Sequence, residues 1–225
     1  MKHLIIMSLV IVGGMLTSCK EKTQSDTSTT TKTEGQNNTT GQMVFQIDPQ
    51  QSTVNWIGAK PAGTHNGTVP ISSGSFTVEG GNVTSGTIVM DMKNLKVLDP
   101  AGDMGANLEV HLKGLAPGKE EDFFNVDKFP TSTYNISSTT KIENEPEATH
   151  IVNGTLTIKN ITKPVNFKAK LDIREDGVTV VALPFSIDRT EFDIKFKSLK
   201  FFDNLKDDFV NDEFQIGFNV VAKKK

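Results

Sequence analysis

The sequence predicts a mainly antiparallel β domain with a short helical insert, on three observations. Apolar residues recur with period two from Val44 onward, turn dipeptides separate several of the alternating runs, and one stretch carries apolar residues at helical spacing. Alternation over several residues marks strands with one dry face and one wet face, as antiparallel sheets allow.

Candidate strands at 44–47, 52–59, 74–79 and 83–92 come first, with Gly80-Gly81 as a turn between the last two. "AGTHNGT", residues 62–68, reads as a strand-connecting bend that carries His65. In "DMGANLEVHLKG", Met104, Leu108 and Leu112 fall at helical spacing and Gly114 suits the C-cap. A second short helix is expected near Glu120, where Glu120, Glu121 and Asp122 would suit the positive end of a helix dipole. Strands resume at 131–139 and 150–159, and Lys159-Asn160 turns the chain into "NFKAKLDI". There Phe167, Ala169, Leu171 and Ile173 alternate with Asn166, Lys168, Lys170 and Asp172. Asp176-Gly177 precedes a strand at 178–187, and "EFDIKFK" alternates Phe192, Ile194 and Phe196 with charged residues. The last strand, "EFQIGFNVVA", sets Phe214, Ile216, Phe218 and Val220 on one face. The helical stretch lies between strands rather than alternating with them, which argues against a βαβ fold. Periodicity alone leaves a closed barrel and a stacked sandwich both open.

The N-terminal region describes an exported protein. Lys2, an apolar run from Leu4 to Leu16 and small residues before Cys19 have the form of an export leader. The run falls short of the roughly 20 residues a spanning helix needs. Leu16-Thr17-Ser18-Cys19 resembles a bacterial lipobox, in which Cys19 becomes the acylated mature N-terminus. The expected organisation is a leader over 1–18, a lipidated Cys19 with a Thr/Ser-rich tether to residue 43, and one domain over 44–225. Lys20 to Gln42 lacks large apolar residues and cannot offset its ordering entropy, so it should behave as flexible coil with a reach of roughly 25–30 Å. This places the protein on a bacterial membrane, at the outer membrane or facing the periplasm.

Charge and motif content narrow the function classes. Cys19 is the single Cys, so no disulfide forms within the chain. Against 27 Asp and Glu stand 24 Lys and Arg, and loss of Lys2 with a leader takes the net charge from −3 to −4. A mildly acidic domain without a basic cluster argues against nucleic acid as a partner. HExxH, GxSxG, phosphate loops and a Cys nucleophile are missing from the sequence, and His65, His111 and His150 lack metal-ligand spacing. Asp203, Asp207, Asp208 and Asp212 lack the ligand pattern of a calcium loop and read as a solvated hairpin loop. No enzyme, metal or cofactor is expected.

Four blocks in order carry a family resemblance. They are "FQIDPQQSTVNWIGAKPAGTHNGTVPISSGSF", "LEVHLKG" followed by "EDFFNVDKFPTSTYNI", "NGTLTIKNITKPVNF" and "LKDDFVNDEFQIGFNVVAKK". Together they resemble the YceI-like family from about Val44 to Lys223. The resemblance implies an extended eight-stranded antiparallel lipocalin-like barrel with a long apolar cavity for a polyisoprenoid chain. "DRTEFD" keeps the Arg189 and Phe192 of the family's arginine block but has Asp193 where Gly is common.

The composition suits that ligand. The chain has 14 Phe against one Trp and one Tyr, and Phe supplies apolar surface without a polar atom to satisfy. Each methylene taken from water contributes about 0.8 kcal/mol before ordering costs, so a long tail binds without specific hydrogen bonds. Phe123, Phe124 and Phe129 should pack the helical segment over the barrel mouth or wall, with Pro130 starting the next strand. The other aromatic residues expected against the ligand are Trp56, Phe76, Phe167, Phe185, Phe192 and Phe214. His65, His111 and Arg189 are the polar members, and the histidines are candidates for the head group.

The function expected is a membrane-tethered binding protein that holds an isoprenoid, quinone-like or other long-chain lipid for transport or storage. A lipid-acting enzyme and a stress-response interaction module are alternatives on the same barrel. The sequence leaves the oligomeric state, monomer or homodimer, open.

Overall fold

The computed structural model describes residues 41–225; the leader, Cys19 and most of the tether lie outside the described residues. The strands are β1 (Gln42–Ile47), β2 (Thr53–Lys60), β3 (Gly63–Glu79), β4 (Asn82–Asp91), β5 (Lys96–Asp99), β6 (Thr131–Lys141), β7 (His150–Ile158), β8 (Ile161–Ile173), β9 (Gly177–Asp188) and β10 (Glu213–Lys224). One helix, α1 (Gly102–Lys113), joins β5 to the segment before β6. β1 begins at Gln42, so Gln42 and Met43 belong to the sheet rather than to the tether.

The strands settle what periodicity left open. β2, β3, β4, β6, β7, β8, β9 and β10 pair in that order, and β10 pairs back onto β2, closing an antiparallel eight-stranded barrel. β1 and β2 share one stave between β3 and β10. β1 takes the second half of β3 and the end of β10, while β2 takes the first half of β3 and the start of β10. The turn between them is held by the Asp48 carboxylate, which accepts from the Gln50 N–H at 3.0 Å, and by the Asp48 N–H, which donates to Val221 O at 2.8 Å.

Three local expectations differ from the structure. The bend around His65 is strand: β3 runs unbroken through it, and the turn is confined to Pro61-Ala62. Gly67 misled because it marks close packing rather than a turn. A Cβ there would lie 1.9 Å from Lys96 O and 2.6 Å from the Trp56 ring, because β5 crosses β3 at this point. β5 itself is mostly exposed, so its four residues carry little alternation.

The segment at Glu120 is not a helix. Its Phe124 N–H donates to Leu112 O at 3.1 Å and its Val126 N–H to Lys113 O at 2.9 Å, so it folds back to satisfy the C-terminal carbonyls of α1. "EFDIKFK" is not a strand either. Arg189–Phe192 form a 3-10 turn, followed by irregular chain up to Asp212. Alternation there still reports burial, since Phe192 and Ile194 are both 1% exposed. Within the segment the Ile194 carbonyl accepts from the Arg189 guanidinium and the Asp193 carbonyl from Lys159 Nζ.

The barrel interior has three levels. At one end Phe45, Phe76, Val78, Val83, Val220 and Ala222 pack without exposure. Across the middle lies an aromatic layer in which Phe167 meets Phe185 at 4.7 Å, Tyr134 at 5.2 Å and Phe218 at 5.3 Å between ring centroids. Tyr134 reaches across Gly154 and donates its hydroxyl to Val165 O at 2.7 Å. The other end is hollow, roofed by α1 and the irregular chain after Arg189.

Candidate functional site

The hollow end encloses a cavity of about 350 Å³. Its walls are the mouth-side ends of β2, β3, β7 and β10, which contribute Trp56, Val69, Leu156, Ile158, Phe214 and Ile216 among others. Inward-facing positions two apart on each strand place these side chains together. The roof comes from Leu108, His111 and Leu112 of α1, from Phe123 and Phe124, and from Ile194, Phe196 and the chain over 207–211. α1 is held over the mouth by its C-cap, Gly114, at φ 72°, whose N–H donates to His111 O at 2.9 Å.

Of the residues expected at a ligand, Trp56, His65, His111, Phe123, Phe124, Arg189 and Phe214 line this cavity. Phe76 is in the packed end, and Phe192 is buried without reaching the cavity wall. Phe129 is a half-buried residue outside the cavity, with Lys128 Nζ 5.2 Å from its ring centroid. Phe167 and Phe185 belong to the aromatic layer that floors the hollow end. The long tunnel implied by the resemblance is therefore a shorter chamber, because aromatic rings fill the middle of the barrel. Met90, Met92, Leu95, Leu112, Leu156 and Phe196 also line the cavity, though none is expected at a ligand from the sequence. In sequence they look like any core residue, and only the barrel closure turns them toward an empty space.

The polar groups at the cavity are mostly engaged. The Trp56 indole N–H donates to Lys96 O at 3.2 Å. His111 Nε2 lies 2.7 Å from Asp122 Oδ2, and its ring edge meets Phe123 and Phe196 at 5.1 and 4.9 Å. Arg189 is 4% exposed and fixes the loop behind it. It donates to Asn211 O at 2.9 Å, Ile194 O at 2.8 Å, Val210 O at 2.9 Å and Asp212 Oδ1 at 3.4 Å. Burial pulls the guanidinium below the usual arginine range, opposed by the charges of Asp212 and Asp188. Arg189 is thus a strut of the roof rather than a free cation facing the ligand. Asp193 ends the 3-10 turn at φ 57°, the left-handed region that Gly enters freely and Asp tolerates. The Gly-to-Asp departure in the arginine block therefore keeps the turn.

One polar atom is left over. His65 Nδ1 is buried against the cavity wall and has no hydrogen-bond partner among the described residues. Among those residues no group of three or more His, Cys, Asp or Glu converges as a metal site. No described helix is long and apolar enough to cross a membrane.

A closed barrel with an apolar chamber at one end, of a size within the roughly 300–1,000 Å³ of ligand pockets, defines a binding architecture for small apolar molecules. The chain belongs to the YceI-like domain family, whose model matches residues 45–222. Its barrel is similar to that of Burkholderia cenocepacia BcnA, with a TM-score of 0.58 and 22% identity over 79% of this chain and 99% of that one. It is also similar to a polyisoprenoid-binding domain from Saccharophagus degradans implicated in plant cell wall breakdown. That match has a TM-score of 0.55 and 10% identity, covering 81% of this chain and 99% of the other. Among curated sequences, a UPF0312 protein of Shewanella sp. (strain W3-18-1) is 29% identical over 97 residues, 43% of this chain. The match spans 44% of that relative, less than half its length.

Proposed function

We propose that this protein is an exported, lipid-anchored binding protein that holds an isoprenoid or similar long-chain lipid in the barrel for transport or storage. The observation that carries the reading is the apolar chamber of about 350 Å³ at one end of the closed barrel. A hydrocarbon placed there loses contact with water along its length, at about 0.8 kcal/mol per methylene before ordering costs. Of the Lys and Arg side chains lining the chamber, Lys60 alone has no side-chain partner among the described residues, so an alcohol, a quinone and a phosphate are all compatible head groups. Arg189 is committed to backbone carbonyls, and Lys197 is committed to Asp208 at 2.6 Å. The isoprenoid class is supported by the shared fold with the Saccharophagus domain, and the anchor by the Leu16–Cys19 motif.

The test is lipid analysis of the purified protein, with Trp56 as an internal reporter. Trp56 is the single Trp of the chain and lies on the chamber wall. Organic extraction and mass spectrometry should recover an isoprenoid, and added prenol or quinone should change Trp56 emission saturably. Repeated recovery of lipid-free protein with no Trp56 response to either ligand would overturn the reading.

A further inference from the structure

The barrel wall has a gap. β8 pairs with β7 along Ile161–Ala169, but its only pairs with β9 are at Lys170–Ile173 against Val178–Val181. Beyond Val181, β9 continues to Asp188 against β10 alone, and the facing edge of β8 has no ladder partner. Pro184 lies in the diverging part of β9, where it cannot donate to a neighbouring strand. The β9–β10 register also shifts between Ile216 and Phe218, which bends β9 at the same place.

Outside the gap lies a groove formed by Ala148, Ile151, Phe167, Leu183, Pro184 and Phe185, with the Lys168–Glu145 ion pair at its rim. Phe167 is an interior residue, 5% exposed, and yet helps form this outer groove, which only an open wall permits. Phe185 stands opposite Ile216 in register, and Ile216 lines the chamber. The stacked rings of Phe167 and Phe185 therefore separate chamber from groove, and Phe185 is only half-buried. The chamber is small for its proposed cargo. Its 350 Å³ lies at the low end of the roughly 300–1,000 Å³ of small-ligand pockets.

We propose that the tail of a long-chain lipid leaves the barrel sideways between β8 and β9, past the Phe167–Phe185 stack, and lies in the outer groove. This rests on the lipid reading of the chamber and extends it to a second subsite for hydrocarbon. The occupant is the distal part of the same chain, since Phe185 of the groove pairs in register with Ile216 of the chamber wall and the groove carries exposed apolar surface, with Leu183 51% exposed.

The experiment is a chain-length series of prenols with ten, fifteen and thirty carbons, titrated against wild type, Leu183→Asp and Ile151→Asp with Trp56 emission as the readout. Both substituted positions line the groove and neither lines the chamber, so the ten-carbon prenol should bind all three proteins equally. The thirty-carbon prenol should bind wild type at least roughly tenfold more tightly than the fifteen-carbon one, because the added methylenes leave water. Each variant should reduce that gain to within about twofold. Equal affinity of wild type and variants for the thirty-carbon prenol, with the short prenol still bound, overturns the side exit and leaves the chamber reading intact. Failure of the short prenol to change Trp56 emission in wild type removes the chamber reading and the side exit with it.

Discussion

Replacement of Arg189 by Met separates a roof strut from a ligand contact. The side chain is 4% exposed and donates to the carbonyls of Ile194, Val210 and Asn211 and to the Asp212 carboxylate. Met fills similar space but donates nothing, so three carbonyls lose a charged donor. An unsatisfied buried acceptor costs about 1–3 kcal/mol, and breaking a buried charged network costs about 3–5 kcal/mol. Relief of the guanidinium's own burial offsets part of the sum, so a loss of about 3–5 kcal/mol is expected. For a domain of this size that lowers Tm by about 6–20 °C. Thermal and urea unfolding followed by Trp56 emission measure it. Prenol affinity, measured well below the lowered Tm, should weaken less than the stability loss alone would suggest if roof segments 193–212 remain docked through Phe192 and Ile194. A variant that keeps its Tm within about 2 °C while losing prenol binding would refute the strut argument and return Arg189 to the ligand.

Gly154→Ala should destabilise the barrel by about 1–3 kcal/mol in urea unfolding, because the added Cβ would meet Asn135 O at 2.2 Å and the Tyr134 ring at 2.7 Å. His150 is buried with Nε2 unpartnered among the described residues, and burial followed by the charge of Lys141 lowers its pKa below 6.5. The unfolded chain then takes up a proton first as pH falls, so stability present above about pH 6.5 should decline toward the lower folded-state pKa. His150→Asn should flatten that slope in urea midpoints measured from pH 7.5 to 5. Cys19→Ser should yield a protein without acyl mass that fractionates away from membranes, whereas wild type should carry acyl mass at its mature N-terminus, as read by mass spectrometry of the two proteins.

Much of the wall was legible in the sequence because half-buried strands write their geometry in period two. Phe167, Ala169 and Leu171 alternate inward as the pattern of β8 demands, and Phe214, Ile216, Phe218 and Val220 do so along β10. Closure of the ring was not legible from periodicity, since pairing of β10 with β2 joins residues more than 150 positions apart. The errors have local physical causes. Gly67 looked like a turn and is instead a crossing point for Trp56 and β5. "EFDIKFK" looked like a strand because alternation also arises where a guanidinium, rather than a neighbouring strand, organises the backbone. For the candidate site, Trp56, Phe123, Phe124 and Phe214 were visible as aromatics in matching blocks. Phe76 and Phe192 have the same chemistry but a different height or depth in the barrel, which no single side chain encodes. Leu156 and Met92 gave no signal at all, because facing a void and facing a neighbour require the same apolar residue.

The last strand carries a particular weight in this architecture. β10 pairs with β1, β2 and β9 along 12 residues, joining the first two strands to the ninth. Truncation before Glu213 would therefore not give a smaller barrel but an open sheet whose margins are β9 and the β1–β2 stave, the latter still paired with β3. Closure of the barrel therefore depends on β10 standing between β9 and the β1–β2 stave.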